Sequence, residues 1–225
     1  MGPRVLSITS DIVQVGGPSL THANDAAVYL VRFGEHAALV DAGSGRASER
    51  VLLNIEASGV AVEQIRYLLL THCHYDHSGG AAHFRQRFHW PVALHALEAP
   101  YLEQGDNQVS AASWYGDQLT PCPVDRRIGD GDYFPLGEQA VQVIHIPGHS
   151  PGSVAYLVES EGQRVIFAQD VHGPLHPALL SNARDYQASL QKLLALDADI
   201  LCEGHHGVFV GKAAIAGFIA RFVEP

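Results

Sequence analysis

The stretch of sequence at residues 68–80 constrains this chain more than any other. An apolar run at 68–70 predicts the end of a buried strand. Four potential metal ligands follow it within six residues: His72, His74, Asp76 and His77. Side chains at alternate positions of an extended segment share a face, so the first two can hold one ion, while the turn that follows directs the last two toward a second. Imidazole and carboxylate are suitable ligands for divalent ions, so we predict a metal site where this strand ends.

Apolar periodicity elsewhere predicts strands grouped between helices. The predicted strands lie at about 4–9, 26–33, 36–41, 66–71, 91–95, 140–146, 152–158, 163–169 and 199–202. The predicted helices lie at about 46–58, 79–87, 96–104, 184–195 and 212–222. The two halves share a coarse order of strand pair, helix and strand, which favours a duplicated, layered α/β architecture.

Composition narrows the functional class. A length of 225 residues, with 47% hydrophobic and 17% charged residues, indicates a globular chain and is compatible with one domain over 1–225. A net charge of −10 opposes nucleic-acid binding, and no apolar run approaches the roughly 18 residues of a membrane span, so we expect a small-molecule substrate. The three cysteines are widely spaced, which favours a reducing, cytoplasmic location. None of these features predicts an oligomeric state.

The stretch 101–138 breaks the regular pattern. Several glycines and prolines alternate there with the aromatic residues Tyr101, Trp114 and Tyr115. A long irregular segment in a compact domain is typical of an active-site lid or a specificity loop. The alternative is a surface excursion whose aromatic side chains simply pack against the domain.

The pattern His-x-His-x-Asp-His at residues 72–77 resembles the hallmark of the metallo-β-lactamase superfamily, and the resemblance covers nearly the whole chain. In that family a third histidine follows a Pro-Gly step, as His149 does here, and a bridging aspartate follows a later strand, as Asp170 does. The last histidine follows a glycine, which selects His205 and leaves His206 as a neighbour that supports the site or handles protons. The implied ligand set is His72, His74, Asp76, His77, His149, Asp170 and His205.

The resemblance implies an α/β fold, a four-layer αββα sandwich of two mixed β-sheets flanked by helices. Two further residues are candidates for supporting roles. Asp41, after the predicted strand 36–41, would orient a ligating imidazole, although it can also be a turn residue before Gly43. His172, two residues beyond Asp170, would line the pocket or belong to an ordinary polar loop.

The combination of Asp170 with His77 is similar to the glyoxalase II-like and lactonase-like branches of the family. β-Lactamases of this fold lack the bridging aspartate, so antibiotic hydrolysis is not expected. The resemblance implies two divalent ions, zinc first with iron or manganese as alternatives, that share Asp170 and a hydroxide. The hydroxide would attack a thioester or a lactone or ester carbonyl, with Asp76 and Asp170 as the catalytic side chains.

Substrate recognition departs from glyoxalase II. The loop after Asp170 has no lysine or arginine that could bind glutathione. An apolar wall of Tyr101, Trp114 and Tyr115 is the expected replacement. Two other functional classes remain open: a mononuclear iron oxygenase similar to persulfide dioxygenases, and a non-catalytic binding protein, which would be expected to have lost ligands.

Overall fold

The computed structural model describes residues 2–224 and contains two mixed β-sheets. The seven strands of the first sheet lie side by side in chain order: β1 (Leu6–Ser7), β2 (Ile12–Gly16), β3 (Val28–Phe33), β4 (His36–Val40), β5 (Ile65–Leu69), β6 (Val92–His95) and β7 (Arg126–Ile128). Neighbouring strands are antiparallel from β1 to β4 and parallel from β4 to β7.

The second sheet has six strands in the spatial order β13-β12-β11-β10-β9-β8. They are β8 (Tyr133–Leu136), β9 (Gln139–His145), β10 (Val154–Ser160), β11 (Gln163–Phe167), β12 (Ile200–Cys202) and β13 (Val208–Val210). The pair β11 and β12 is parallel, and the other neighbours are antiparallel.

Helices cover the outer faces of both sheets. They are α1 (Ser48–Ala57), α2 (Tyr75–Ser78), α3 (Ala81–Phe88), α4 (Ala99–Gln104), α5 (Ala183–Ala195) and α6 (Lys212–Ile219), with 3-10 turns at Val62–Gln64, Ala112–Tyr115 and Pro177–Leu179. Within residues 2–224, no helix combines the length and the apolar character needed to cross a bilayer.

Alternation along the strands divides the apolar side chains among three cores. In β3, Tyr29 and Val31 pack between the two sheets, while Leu30 points to the opposite face, where α1, α3 and α4 cover the first sheet. The second sheet behaves alike: Phe167 faces the inter-sheet core and Ile166 faces the core under α5 and α6. The predicted four-layer αββα sandwich is therefore confirmed.

The structure corrects the sequence expectations at the short strands. β2, β7, β8 and β13 were not predicted: β7 has the sequence Arg-Arg-Ile, which offers no apolar run, and β8 contains Pro135, which disfavours a strand. The stretch 101–138 is consequently less irregular than expected. It begins within α4 and ends with β7 and β8, which are held by pairing with β6 and β9. The predicted helix at 212–222 ends earlier, at Ile219.

Candidate metal centre

The loops at one edge of the sandwich carry all seven metal ligands expected from the sequence. They follow the carboxyl ends of β4, β5, β9, β11 and β12. Backbone hydrogen bonds join loops of the two sheets there: the Val154 N–H donates to the Thr71 carbonyl at 2.9 Å, and the Ala27 N–H donates to the Gly204 carbonyl at 2.8 Å. Side chains that are far apart in sequence therefore meet at this edge.

One cluster contains His72, His74, His149 and Asp170, whose ligand atoms all lie within 4.8 Å of one another. His149 Nε2 lies 2.9 Å from His74 Nδ1 and 3.0 Å from Asp170 Oδ2. His72 Nε2 lies 3.7 Å from the same carboxylate oxygen. All four residues are buried.

A second cluster contains Asp76, His77 and His205, again with ligand atoms within 4.8 Å. The short helix α2 carries the first two side chains, and His205 reaches them from the loop after β12. His205 Nε2 lies 3.3 Å from Asp76 Oδ2, and His77 Nε2 lies 3.7 Å from it.

Asp170 joins the two clusters. Its Oδ2 faces the first cluster, and its Oδ1 lies 3.2 Å from His77 Nε2 and 3.1 Å from His205 Nε2. The residue has φ of 52°, a left-handed conformation that aspartate tolerates better than most residues. The backbone of residue 204 lies close to Asp170, and this position requires glycine because a Cβ there would lie 2.3 Å from Gln169 Oε1 and 3.2 Å from Asp170 Oδ1.

The outer hydrogen bonds of the imidazoles fix which nitrogen carries the proton. His149 Nδ1 lies 2.9 Å from the Pro174 carbonyl, which can only accept, so the proton is on Nδ1 and Nε2 has a free lone pair. His77 is arranged in the same way by Asp41, 2.8 Å from its Nδ1. Both Nε2 atoms therefore point at the carboxylate of Asp170, which is repulsive unless a proton or a metal ion lies between them.

Buried polar atoms without partners mark the same positions. His72 Nε2, His77 Nε2 and Asp170 Oδ1 are buried and have no hydrogen-bond partner among residues 2–224. A buried polar atom left unpaired is costly, and these atoms are lone-pair donors that converge on two points. Nitrogen and oxygen donors in this arrangement fit divalent metal ions.

The electrostatics of the site agree with this fit. Burial lowers the pKa of His205, but the adjacent carboxylates of Asp170 and Asp76 raise it to about 10. Burial and the neighbouring histidines hold the pKa of His72 well below its usual value. Burial raises the pKa of Asp170, but His77 and His149 lower it much further. His72 is thus kept neutral and Asp170 ionised near neutral pH, which are the forms in which the two side chains bind a metal ion.

Asp41 is fully buried behind the clusters. It accepts hydrogen bonds from the Thr71 N–H at 2.8 Å, from Thr71 Oγ1 at 2.9 Å and from His77 Nδ1. Thr71 Oγ1 also lies 3.1 Å from His72 Nδ1. The Asp41 carboxylate is therefore linked to His77 of the second cluster directly and to His72 of the first cluster through the Thr71 hydroxyl. Its position is that of the orienting residue expected from the sequence.

A cavity of about 200 Å³ opens onto the clusters. Besides residues of the two clusters, the cavity is lined by Ala111, Trp114, Tyr115, His172, Pro174 and Leu179. Trp114 is 51% exposed, so it is available to a ligand. The structure does not bring Tyr101 to this wall, because its ring packs against the core under α4. His206, expected to support the site, lies beside the wall with its ring 4.7 Å from that of His172.

Glu203 is a residue that the sequence analysis missed. It is completely buried, its Oε1 lies 2.9 Å from His172 Nδ1, and its Oε2 accepts the N–H groups of His205 and His206. It therefore holds His172 at the cavity wall and fixes the loop that carries His205. In the sequence, Glu203 is a single carboxylate between Cys202 and Gly204, and that pattern indicates no particular role.

Comparisons with known proteins identify the family of the chain. The family model for the metallo-beta-lactamase superfamily matches residues 23–205. The acyl-coenzyme A thioesterase MBLAC2 of Gallus gallus is 32% identical over 83% of this chain and 74% of that protein. The hydroxyacylglutathione hydrolase of Aeromonas hydrophila is 31% identical over 79% of this chain and 59% of that protein.

Among solved structures, a metallo-beta-lactamase of Cronobacter sakazakii superposes with a TM-score of 0.83 at 23% identity. The match covers 98% of this chain and 86% of that one, and it shows a shared fold. The matched region contains every residue of both clusters, and the two curated relatives are named a thioesterase and a hydrolase. The chain belongs to the metallo-beta-lactamase superfamily.

Proposed function

We propose that this chain is a dinuclear metal-dependent hydrolase that cleaves a thioester, or a related lactone or ester, of a small molecule. The observation that carries the proposal is the carboxylate of Asp170, whose two oxygens face two separate clusters of nitrogen and oxygen donors. We assign His72, His74 and His149 to one ion, Asp76, His77 and His205 to the other, and Asp170 to both. Zinc is the proposed metal, with iron or manganese as alternatives.

The chemistry follows from these roles. Two ions held by these residues would activate a water as the nucleophile and would polarise the substrate carbonyl. Asp76 and Asp170 border the cavity and can accept hydrogen bonds from the attacking water. The Nδ1–H group of His172 donates a hydrogen bond to Glu203, so its Nε2 lone pair can take the water proton and pass it to the leaving group. The thiolate that leaves from a thioester needs little protonation, whereas the alkoxide that leaves from an ester or lactone requires a proton donor.

The cavity and the relatives favour a thioester. Both curated relatives described above are named for thioester hydrolysis, of acyl-coenzyme A and of hydroxyacylglutathione. A cavity of about 200 Å³ accepts the reacting carbonyl and a short adjoining group, while Trp114 and Leu179 offer apolar surface to an acyl or aromatic group. Trp114 and Tyr115 are therefore the proposed specificity residues.

Two further points complete the proposal. The three cysteines are free and buried, which suits a reducing compartment such as the cytoplasm. A mononuclear iron oxygenase would need only the first cluster, so the complete second cluster favours the hydrolase.

Metal analysis combined with hydrolysis assays tests the proposal. We expect about two metal equivalents per chain in the wild type and about one in Asp76→Ala or His77→Ala, both with severely reduced thioester hydrolysis. Asp125→Asn is the matched control, because it removes a carboxylate that pairs with Arg85 outside both clusters. Fully active wild-type protein with a single iron, together with unimpaired Asp76→Ala and His77→Ala variants, would contradict the dinuclear assignment.

A further inference from the structure

Glu98 is a completely buried carboxylate that belongs to neither ligand cluster. It immediately precedes α4, yet its side chain makes no capping hydrogen bond to that helix. The carboxylate points instead into the loops at the metal-bearing edge of the sandwich. Ionised groups are rarely buried without a specific set of partners, so this position calls for an explanation beyond packing.

The two oxygens of Glu98 bind two different loops. Oε2 accepts the backbone N–H of Cys73 at 2.9 Å, and Oε1 accepts the backbone N–H of Gly152 at 2.9 Å. Cys73 lies between His72 and His74 in the loop after β5, in the first sheet. Gly152 lies three residues after His149 in the loop before β10, in the second sheet.

The contact with the second loop leaves no room for adjustment. A Cβ on residue 152 would lie 2.4 Å from Glu98 Cγ and 2.9 Å from His95 Nδ1. The backbone of Gly152 therefore rests directly against the Glu98 side chain, without space for an intervening water. A carboxylate that holds two backbone N–H groups so closely fixes the distance between the segments that carry them.

That distance controls the geometry of the first cluster. His74 Nδ1 and His149 Nε2 come from the two loops that Glu98 joins, and they lie 2.9 Å apart. We propose that Glu98 is a positioning residue that holds the loops of His74 and His149 together and so sets the metal affinity of the first cluster without touching the ion. This inference rests on the proposed metal centre.

The substitution Glu98→Gln tests the role with minimal change of shape. A glutamine can accept only through its single oxygen, so its amide NH₂ faces one of the two backbone N–H groups and repels it. Glu103→Gln is the matched control, since it removes the same charge from the same helix, where Glu103 pairs with Arg127 at the surface. The thermal midpoint of each metal-free variant is recorded in parallel.

The primary measurement is Zn²⁺ affinity from competition with a chromophoric chelator at a temperature where all variants are folded. We expect Glu98→Gln to bind the Zn²⁺ ion of the first cluster about 10- to 100-fold more weakly than wild type, which is the range typical of lost outer-shell partners. The Glu103→Gln variant should bind both ions with wild-type affinity. The absorption spectrum of the Co²⁺-substituted protein should also change in Glu98→Gln, because His74 and His149 would be displaced. Neither readout would move if Glu98 served stability alone.

A second variant keeps the test decisive if Glu98→Gln fails to fold. Glu98→Asp retains the charge but is one methylene shorter, so it cannot reach both loops, and we expect an intermediate loss of affinity. Wild-type Zn²⁺ affinity and Co²⁺ spectrum in a folded variant, even with a lowered thermal midpoint, would overturn the proposal. Failure of the wild type to bind two ions would instead overturn the proposed function.

Discussion

Replacing Asp41 by asparagine should remove the control of the His77 proton while leaving the backbone intact. Asp41 has φ of 62°, and asparagine tolerates this left-handed conformation, so no new strain is introduced. The change removes one negative charge and one hydrogen-bond acceptor while keeping the size of the side chain. The asparagine oxygen can still accept from Thr71, but its NH₂ group then faces His77 Nδ1, where a proton is now held.

The expected magnitude follows from that contact. With an amide donor opposite Nδ1, the imidazole of His77 is favoured as the tautomer with its proton on Nε2, the atom that faces Asp76 and Asp170. Metal binding must then reverse this preference. Loss of an outer-shell partner costs about 10- to 100-fold in metal affinity, which is about 1.4–2.8 kcal/mol. The loss should fall mainly on the cluster of Asp76, His77 and His205.

Chelator competition and isothermal titration measure this difference, with Asp125→Asn as the control carboxylate. Asp41→Asn should bind its weaker Zn²⁺ equivalent at least tenfold less tightly than either wild type or the control. Thioester hydrolysis at limiting Zn²⁺ should fall accordingly and recover in part at high Zn²⁺. Two equivalents bound with wild-type affinities in folded Asp41→Asn would refute the reasoning that Asp41 sets the tautomer of His77.

Three further results are expected. His205→Ala should lose metal and nearly all activity, whereas His206→Ala should keep its metal content because its ring lies outside the cavity; elemental analysis decides, and the reverse pattern would show that the two histidines are misassigned. Trp114→Ala should raise KM for an acyl or aromatic thioester about tenfold, since about 55 Å² of apolar contact contributes about 1.4 kcal/mol, and an unchanged KM would mean that its ring does not contact substrate. His172→Ala should slow hydrolysis of oxygen esters more than that of matched thioesters, and equal effects on both series would argue against a proton-transfer role.

Local pattern explains why the ligand-bearing residues could be listed from the sequence. His72, His74, Asp76 and His77 lie within one strand-to-helix segment, so their spacing alone indicates a shared site. The structure brings them together with the three residues that the family resemblance added. The strand pattern likewise indicated the layered fold, because continuous apolar runs such as β3 and β10 are typical of strands buried on both faces.

Long-range contacts explain what the sequence did not indicate. Glu98 and Glu203 are single carboxylates whose partners lie in distant loops, and a lone glutamate has no spacing to interpret. The same holds for the wall of the cavity: Tyr101 and Trp114 belong to one aromatic stretch, and only the fold decides which of them packs inward. β7 and β8 exist because they pair with β6 and β9, whose side-by-side positions are a property of the whole sheet.

Neither sheet contains a complete cluster. His72 and His74 follow a strand of the first sheet, whereas their partners His149 and Asp170 follow strands of the second, and the other cluster is divided in the same way. Each bound ion would therefore act as a cross-link between the two halves of the chain, contributing about 4 kcal/mol to the folded state when free metal exceeds its dissociation constant a thousandfold. During synthesis, neither ion can be fully coordinated until residues 170 and 205 have emerged and both sheets have docked. Metal loading would then follow the docking of the two sheets, and in metal-free chains the two sheets would be less firmly joined.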